Sequence, residues 1–388
     1  MKAVTAYLRK KPQPRAEVGH PWVFAAEVAR WEGEASVEET VFARSAEGRF
    51  LGSAIFSPRS SICLRIFSRE KIFLDEKVIK EKIENAIKSR SFSGKETMRL
   101  VWSEADGLPG LTIDAYNGRA VVFQITHAAM EKKRPSIIEA INDVLNPDTL
   151  VERSDGAGRK MEGLPERKEL LTGKNWLIEA TIGAGRFPVD LMSDQKSGAY
   201  LDQATNYLRV ASCCAGKSVL DCFCNKGGFA INAALAGAKR VVAVDISQDA
   251  IDSAKKAAEL NRVSIETSVA NVFDDLRARE KSREKWDVIV LDPPPFSRSR
   301  NSLESAIRGY REINLRAFKL LQPGGLLATY TCSHHIQPRE FLQMLREAAW
   351  DARRDAVIIE DQFQAPDHPT LLAMPESRYL HGWMIRVL

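Results

Sequence analysis

Long apolar runs are missing from this chain. No uninterrupted apolar stretch approaches the roughly 20 residues that a membrane-spanning helix needs, so we expect no contact with a membrane. Residues 1–15 hold five basic residues and no acid, but they lack the apolar segment of a secretory signal peptide. We therefore expect a cytoplasmic protein.

Cysteines are few, and their spacing excludes two common uses. The 388 residues include six cysteines and no export signal, which favours reduced thiols over a disulfide framework. Paired Cys-x-x-Cys spacing is absent, so we expect no metal site. We interpret every cysteine except Cys332 as a buried free thiol.

The usual phosphate-binding fingerprints are absent as well, since neither G-x-G-x-x-G nor the P-loop pattern occurs. Instead, Asp221 leads into a turn with paired glycines, which suits a ligand with a positive amino-acid group rather than a pyrophosphate. Asp245 ends the next strand 24 residues later and can bind both ribose hydroxyls. Asn271 follows the third strand, where it can meet an adenine edge. Together these features predict a site for S-adenosylmethionine. The residues assigned to it are Gln203, Asp221, Phe223, Asn225, Gly227, Asp245, Ile246, Asn271, Val272 and Asp292.

Length and composition indicate a globular protein of more than one domain. The chain is 44% apolar and 28% charged, which is ordinary for a protein with a buried core. Short β-rich runs at residues 22–24, 41–44, 50–56 and 62–67 predict a small β-module over residues 1–70. Mixed strand and helix signals over residues 71–185 predict a compact α+β unit.

Strands and helices alternate over residues 186–388, as expected for an α/β domain with a doubly wound, mostly parallel sheet. The predicted strands are Ser218–Asp221, Arg240–Asp245, Ile265–Ala270, Trp286–Asp292 and Gly325–Cys332. The predicted helices are Gly228–Ala236, Ser247–Asn261, Ser302–Leu321 and Pro338–Ala352. Ligands bind at the carboxyl edge of such sheets, so residues that follow these strands are candidates for function.

Charge is unevenly distributed along the chain. The formal net charge is +5, and residues 1–69 hold 11 Lys/Arg against 7 Asp/Glu, which gives 11 − 7 = +4. A basic N-terminal arm attracts phosphate, and it also keeps a protein soluble, so charge alone leaves both roles open.

Two strand ends carry the candidate chemistry. The first, Asp292-Pro293-Pro294-Pro295-Phe296, partly fits the (Asp/Asn)-Pro-Pro-aromatic motif of exocyclic amine methylation. In that reaction the acid and a backbone carbonyl hold the NH2 group while the aromatic ring stacks on the base. An extra proline displaces the aromatic residue here.

The second strand end, Thr331-Cys332-Ser333, favours methylation at cytosine C5. That carbon is a poor nucleophile until a thiolate adds to C6. An acid that protonates or hydrogen-bonds N3 lowers the barrier to this addition. Asp292 and Cys332, on neighbouring strand ends, supply both groups.

Several segments resemble one known family over nearly the whole chain, the bacterial cytosine-C5 methyltransferases of large-subunit ribosomal RNA. The segments are Gly19–Phe24, Glu152–Asp155, Lys196–Gln203, the turn after Asp221, Asp292–Pro294, Arg308–Asn314, Thr331–Ser333 and Asp367–Pro369. The resemblance implies a PUA-like RNA-binding domain, an α+β middle domain and a class I methyltransferase domain, over residues 1–70, 71–185 and 186–388. It also implies Cys332 as the nucleophile, with Asp245 and Asn271 on the cofactor.

The family lacks the second cysteine that other RNA cytosine-C5 methyltransferases carry beside the Asp-Pro motif, and this chain lacks it too. Ala204 departs from the family, which usually has arginine there. The implied partner is large-subunit ribosomal RNA, and a homodimer is also allowed. The candidate RNA contacts are Lys10, Lys11, Arg15, His20, Trp22, Arg298 and Arg308.

Two other functions stay open from the sequence. One is methylation of an exocyclic base amine in RNA through the Asp292 motif, with Cys332 as a structural residue. The other is a non-catalytic RNA-binding or ribosome assembly factor.

Overall fold

The computed structural model describes residues 4–37, 39–296, 303–333 and 335–388. Contacts group the chain into two compact units. The first comprises Met1–Ile178, Val189–Ala199 and Pro366–Ser377, and the second comprises Glu179–Pro188, Tyr200–Ala365 and Arg378–Leu388. No helix in the described ranges is long and apolar enough to cross a membrane.

The first unit begins with a six-stranded sheet in the order β2-β6-β5-β4-β1-β3. Its strands are β1 (Val4–Leu8), β2 (Trp22–Phe24), β3 (Val28–Glu32), β4 (Thr40–Arg44), β5 (Phe50–Phe56) and β6 (Ile62–Ser68). Apolar side chains of alternate residues, such as Val4, Ala6 and Leu8, form a small core. The four β-rich runs found in the sequence are strands here, and β1 and β3 are additional to them.

A five-stranded sheet follows in the same unit, in the order β11-β10-β9-β8-β7. Its strands are β7 (Met98–Trp102), β8 (Leu111–Tyr116), β9 (Ala120–Ile125), β10 (Thr149–Ser154) and β11 (Arg167–Thr172), and its helices are α1 (Glu76–Ser89), α2 (Ala128–Lys132), α3 (Arg134–Leu145) and α4 (Ala157–Met161). Asp75 caps α1 by accepting a hydrogen bond from the Val78 N–H, and Ile79 and Ile83 bury the apolar face of that helix. Both sheets fall in one contact unit, so the division into residues 1–70 and 71–185 stays a prediction.

Two strands, β12 (Leu177–Ile182) and β13 (Gly185–Asp190), form a separate two-stranded sheet. The contact grouping changes within these strands, because Glu179–Pro188 belongs to the second unit while the residues on either side of it belong to the first.

The second unit is built on a seven-stranded sheet in the order β16-β15-β14-β17-β18-β20-β19. Its strands are β14 (Ser218–Cys222), β15 (Arg240–Asp245), β16 (Glu266–Val269), β17 (Trp286–Leu291), β18 (Leu321–Thr331), β19 (Ala356–Phe363) and β20 (His381–Val387). The first five positions in that order are parallel, and β20 runs antiparallel to both of its neighbours. The helices are α5 (Ala204–Ala211), α6 (Gly228–Leu235), α7 (Gln248–Asn261), α8 (Val272–Lys281), α9 (Leu303–Leu320) and α10 (Pro338–Asp351).

The α/β prediction for this region is confirmed, and the element bounds agree to within a few residues. The central strands are continuous apolar runs, such as Val288–Leu291, because helices cover both of their faces. Strand order reverses at β14, which pairs with β15 on one side and β17 on the other. A reversal of this kind opens a crevice at the carboxyl ends of the strands, where open α/β sheets bind ligands.

Candidate functional site

The turn between β14 and α6 is built around Asp221. This side chain is fully buried, and its Oδ2 accepts a 2.9 Å hydrogen bond from the Ala230 N–H of α6. Its Oδ1 is buried without a hydrogen-bond partner among the described residues. Burial raises the pKa of Asp221 well above its usual value.

The same turn has left-handed backbone at three of its residues. Phe223, Asn225 and Gly227 have φ angles of 61°, 47° and 79°. A Cβ on Gly227 would also lie 3.2 Å from the Cβ of Ala254 on α7. Glycine is therefore required at this position for both its conformation and its lack of a side chain.

Asp245, at the end of β15, is held by two backbone groups. Its Oδ2 accepts from Asn225 N and its Oδ1 accepts from Ser247 N, each at 2.9 Å. The carboxylate thus ties the glycine turn to the start of α7. The next residue, Ile246, is 70% exposed at the rim.

Asn271 serves as the N-cap of α8. Its Oδ1 accepts from Phe273 N at 2.9 Å, and Val272 behind it is buried in the core. Three consecutive parallel strands therefore end in predicted cofactor residues at one edge of the sheet.

Asp292 and Cys332 lie at the ends of adjacent strands. Strands β17 and β18 are parallel, with Leu291 opposite Thr329. Asp292 directly follows Leu291 on β17, and Cys332 comes shortly after Thr329 on β18. Burial raises the pKa of Tyr200, and charges at Asp292, Asp202 and Cys332 raise it further. Both predicted catalytic side chains are thus within electrostatic reach of one half-buried phenol, that of Tyr200.

Helix α9 holds the segment around Cys332 in place. The Thr331 hydroxyl donates to the Tyr310 hydroxyl at 3.1 Å, and Ser333 N donates to Thr331 Oγ1 at 3.3 Å. Tyr310 is fully buried. The residues on both sides of Cys332 are therefore fixed, while Cys332 itself is only half-buried.

Phe296, the aromatic residue after the prolines, packs inside the unit. Its ring centroid lies 4.6 Å from that of Tyr310, 5.8 Å from Phe273 and 6.2 Å from Phe223. The ring that amine methylation would require for stacking on a base is therefore used to anchor the Asp292 loop.

Gln203 contacts Asp292 directly. Its Nε2 donates to Asp292 Oδ2 at 3.0 Å, and its Oε1 accepts from Asn206 Nδ2 at 2.6 Å. Asn206 Nδ2 also donates to the carbonyl of Phe363 at 3.0 Å. The sequence predicts a cofactor contact for Gln203, which stays a prediction, and the structure places its amide against the candidate catalytic acid. Asn206 gave no signal in the sequence.

Cys332 is less buried than most of the other cysteines. Burial raises the pKa of Cys63 to about 11 and of Cys214 to about 12, and it raises the pKa of Cys222 and Cys224 as well. A thiol with a raised pKa is a poor nucleophile at neutral pH. Cys213 and Cys332 are the two half-buried cysteines, so the interpretation of Cys213 as a buried thiol is wrong. Within the described ranges, no group of three or more His, Cys, Asp or Glu side chains could hold a metal ion.

The candidate RNA contacts have different environments. Lys10 and Lys11 are exposed, and Arg308 is exposed 3.8 Å from Glu304. Arg15 forms an ion pair with Glu376. Arg298 lies outside the described residues. RNA contact by these basic side chains stays a prediction.

His20 and Trp22 have structural contacts that the sequence does not reveal. His20 is 2% exposed, with its Nε2 3.2 Å from Glu376 Oε2. Trp22 Nε1 donates to Glu104 Oε1 at 2.8 Å, which links the six-stranded sheet to the segment after β7. In this conformation the His20 imidazole is buried and the Trp22 indole N–H already donates to Glu104, so neither group is available to RNA.

Comparison with known proteins defines the class. A PUA-like domain profile matches residues 6–69, and an S-adenosylmethionine-dependent methyltransferase profile matches residues 167–372. A methyltransferase from Streptococcus mutans has the same fold, with a TM-score of 0.82 and 20% identity over 99% of this chain and 100% of that one. A second methyltransferase structure, in complex with SAH, gives a TM-score of 0.84 at 20% identity, also over 99% and 100% of the two chains. The fold is thus a class I methyltransferase with a PUA-like domain, and its cofactor is S-adenosylmethionine.

Curated relatives define the family more narrowly. "Ribosomal RNA large subunit methyltransferase I" of Vibrio cholerae is 38% identical over 98% of this chain and 99% of its own length. The protein of the same name from Aeromonas hydrophila is 39% identical over 99% of both chains. The chain belongs to this family of ribosomal RNA large subunit methyltransferases.

The residues at the carboxyl edge fit S-adenosylmethionine. A buried carboxylate oxygen with no partner costs free energy, and Asp221 Oδ1 is such an acceptor, suited to a positively charged amino group. Gly227 supplies the left-handed backbone that the turn after Asp221 needs. Asp245 presents a fixed carboxylate on the next strand, as ribose hydroxyls require.

Proposed function

We propose that this protein methylates C5 of cytosine in large-subunit ribosomal RNA, through a covalent bond between Cys332 Sγ and cytosine C6. The observation that carries the proposal is the pairing of a half-buried cysteine with Asp292 on adjacent strand ends. The family relationship supports ribosomal RNA as the substrate.

The cofactor supplies an electrophilic methyl group on a sulfonium. Its amino-acid end would be held by Asp221, Phe223, Asn225 and Gly227. Asp245 and Ile246 would hold the ribose. On the third strand, Asn271 and Val272 would border the adenine.

Cys332 begins the reaction as a thiolate that adds to C6, which makes C5 nucleophilic enough to accept the methyl group. We assign Asp292, which Gln203 Nε2 holds by a hydrogen bond to its Oδ2, to share a proton with cytosine N3 during the addition. A water molecule or another base then takes the C5 proton, the electrons of that C–H bond re-form the C5=C6 double bond, and the C6–Sγ bond breaks to release the Cys332 thiolate. Tyr310 and Thr331 fix the backbone from which Cys332 reacts.

Packing of Phe296 favours this reaction over amine methylation. The half-buried Phe296 ring packs against Tyr310 and Phe273, and it would have to give up these contacts to turn toward a target base. We further propose that residues 1–70, 71–185 and 186–388 act as an RNA-binding domain, a middle domain and the catalytic domain.

Nucleoside mass spectrometry tests the reaction. The protein is incubated with unmodified ribosomal RNA and methyl-labelled cofactor, and the RNA is digested to nucleosides. We expect label in 5-methylcytidine. Label in a methylated exocyclic amine would contradict the proposal, and complete absence of transfer would favour the non-catalytic alternative.

Replacement of the nucleophile tests the covalent step. Cys332→Ala should reduce methyl transfer to background while cofactor binding, measured by calorimetry, is unchanged. The matched control is Cys213→Ala, which removes the other half-buried thiol and should keep full activity. RNA carrying 5-fluorocytosine should trap a denaturation-resistant adduct with Cys213→Ala but not with Cys332→Ala, because fluorine cannot leave C5 as the proton does. Activity in Cys332→Ala would refute the assignment.

A further inference from the structure

The edge of the large sheet that carries Asp292 and Cys332 extends to two further strands. Strand β19 is parallel to β18, because both pair antiparallel with β20, which lies between them. His381 of β20 is opposite Thr331 of β18 on one side and Phe363 of β19 on the other. Phe363 therefore ends β19 at the same edge as Cys332, two strand spacings, or about 10 Å, across the sheet from β18.

Phe363 is the exposed end of a row of aromatic rings. It is 39% exposed, and its ring centroid lies 6.0 Å from that of His381. Trp383 comes next, stacked 6.4 Å from His381 and 5.1 Å from Phe341, with interplanar angles of 18° and 14°. Phe341 in turn contacts the ring of Tyr310 at 5.2 Å. A ring supported in this way loses little conformational freedom when a ligand stacks on it.

A guanidinium group lies over the exposed ring. Arg378 is exposed, and its Cζ is 4.6 Å from the centroid of the Phe363 ring. Burial lowers the pKa of His381, and the charge of Arg378 lowers it further, so the imidazole is neutral at neutral pH. Two flat groups and one positive charge are thus presented to solvent. Unstacked RNA bases bind to surfaces of this kind, on aromatic rings and on guanidinium planes.

A chain of hydrogen bonds connects Phe363 to the candidate catalytic acid. Asn206 Nδ2 donates to the Phe363 carbonyl at 3.0 Å and to Gln203 Oε1 at 2.6 Å. Gln203 Nε2 donates to Asp292 Oδ2 at 3.0 Å. Two nearly buried amides therefore hold the end of β19 at a fixed separation from Asp292. A nucleotide that binds at Phe363 has a defined position relative to a base that reacts at Asp292.

We propose that the Phe363–Arg378 pair binds an unpaired nucleotide close to the target cytosine in the RNA strand. The base stacks on the pair, and the charge of Arg378 attracts the phosphate backbone. This inference rests on the proposed function, which places the target cytosine at Asp292 and Cys332. Because stacking tolerates any base, the pair selects a single-stranded segment around the target rather than a sequence.

Substitution of the ring tests the stacking contact. Phe363→Leu keeps an apolar side chain beside His381 and the carbonyl that Asn206 binds, but it removes the ring face. We expect the KM for unmodified ribosomal RNA, measured as total methyl transfer, to rise about tenfold, as the loss of one base stack would produce. Phe73→Leu is the matched control, since Phe73 is 51% exposed in the other contact unit and its variant should keep the wild-type KM. A wild-type KM for Phe363→Leu would overturn the proposal.

Two substitutions of Arg378 separate stacking from charge. Arg378→Lys keeps the charge and loses the flat guanidinium, whereas Arg378→Gln loses both. Both variants should raise the KM for RNA, and Arg378→Gln should also make the slope of log KM against log salt shallower by about 0.7. Arg346→Lys, at an exposed position of the same contact unit, is the control and should keep the wild-type KM. A wild-type KM for Arg378→Lys would contradict stacking on this pair.

Photocrosslinking locates the bound nucleotide. The full-length variant Phe363→p-benzoylphenylalanine is irradiated with unmodified ribosomal RNA, and primer-extension stops map the attached nucleotide. We expect this nucleotide to lie within a few positions of the one that the wild-type protein methylates. Crosslinks confined to distant segments, or no crosslink, would overturn the proposal. The identity of the labelled nucleoside tests the C5 reaction separately, because the crosslink is compared with the methylated nucleotide whatever the chemistry of its methyl group.

Discussion

The amide of Gln203 can be turned in two ways, and Asn206 selects between them. Asn206 Nδ2 donates to Gln203 Oε1, so Gln203 must present its Nε2 donor to Asp292. Both amides are almost fully buried, at 2% and 3% exposure, which leaves no water to replace a lost bond. Asn206 therefore orients the candidate catalytic acid without being placed to touch the reacting base.

Asn206→Asp should slow methyl transfer. The substitution keeps the shape but accepts where asparagine donates, so Gln203 turns and presents its oxygen to Asp292. Loss of one hydrogen bond of about 1 kcal/mol corresponds to roughly a fivefold to tenfold decrease in kcat, with the KM for RNA unchanged. Protonation of the new carboxyl restores a donor, so the defect should shrink as the pH is lowered.

The pH profile separates this positioning role from simple destabilisation. Asn206→Ala removes the donor and cannot regain one, so its kcat should stay low at every pH at which the protein is folded. Parallel pH profiles for the two variants, or a defect confined to the KM for RNA, would contradict the role assigned to Asn206.

Residues at strand ends were the predictable part of the site. Asp221, Asp245 and Asp292 each follow an apolar run, and the sheet brings the ends of parallel strands to one edge whatever the connections between them. The bond between Gln203 and Asp292 was not predictable, because it joins residues 89 apart whose proximity depends on how α5 packs. His20 shows the converse, since its motif gave no sign that the imidazole would be buried against Glu376.

Helix α9 connects the two strand ends that carry the chemistry. Tyr310 bonds Thr331 beside Cys332, and its ring packs on Phe296 of the Asp292 loop. The adjacent Gly309 permits this approach, because a Cβ there would lie 3.2 Å from Phe296 Cδ2. Sequence periodicity located the helix to within a residue at each end, but the partners of its faces depend on the tertiary fold.

Gly309→Ala should separate stability from activity. Alanine is favoured over glycine in a helix by about 1 kcal/mol, so the free energy of unfolding should be unchanged or higher. The added methyl displaces the Phe296 ring by a few tenths of an ångström, and we expect kcat to fall about threefold to tenfold as the Asp292 loop moves. Thermal unfolding and single-turnover methylation measure the two effects.

Gly158→Ala is the matched control for this helix substitution. Its added Cβ would lie 3.7 Å from Thr126 Cβ, an ordinary van der Waals contact, so α4 should accept it with no change in kcat. Gly309→Ala with unaltered kcat would show that the Phe296 ring does not position the loop.

Net charge alone does not show which basic groups can meet RNA. Of the basic residues in residues 1–69, Arg65 is paired with the nearly buried Glu104, and Arg69 donates to the carbonyls of Leu51 and Gly19. Lys10 and Lys11 are exposed at the end of β1, and Lys10 makes only a surface ion pair with Glu47, 3.1 Å away.

Deletion of the whole N-terminal module would alter the folding of the protein, so a change in RNA affinity could not be assigned to lost RNA contacts. Glu104 accepts bonds from Trp22 and Arg65, and Glu162 accepts a 2.7 Å bond from Ser57. Deletion would leave these carboxylates without their partners, and breaking a buried pair is strongly destabilising. Point substitutions at exposed lysines are therefore the sharper test of the module.

The double variant Lys10→Gln, Lys11→Gln should weaken RNA binding and reduce its dependence on salt. If each lysine neutralises one phosphate, the slope of log K against log salt should become shallower by about 1.4 to 1.8, since each contact contributes about 0.7 to 0.9. Fluorescence anisotropy with an rRNA fragment at several salt concentrations measures this slope. Lys255→Gln, Lys256→Gln on α7 removes the same net charge from exposed positions of the other contact unit, so it controls for the long-range field. Equal slopes for the two double variants would contradict a local contact between the N-terminal lysines and RNA.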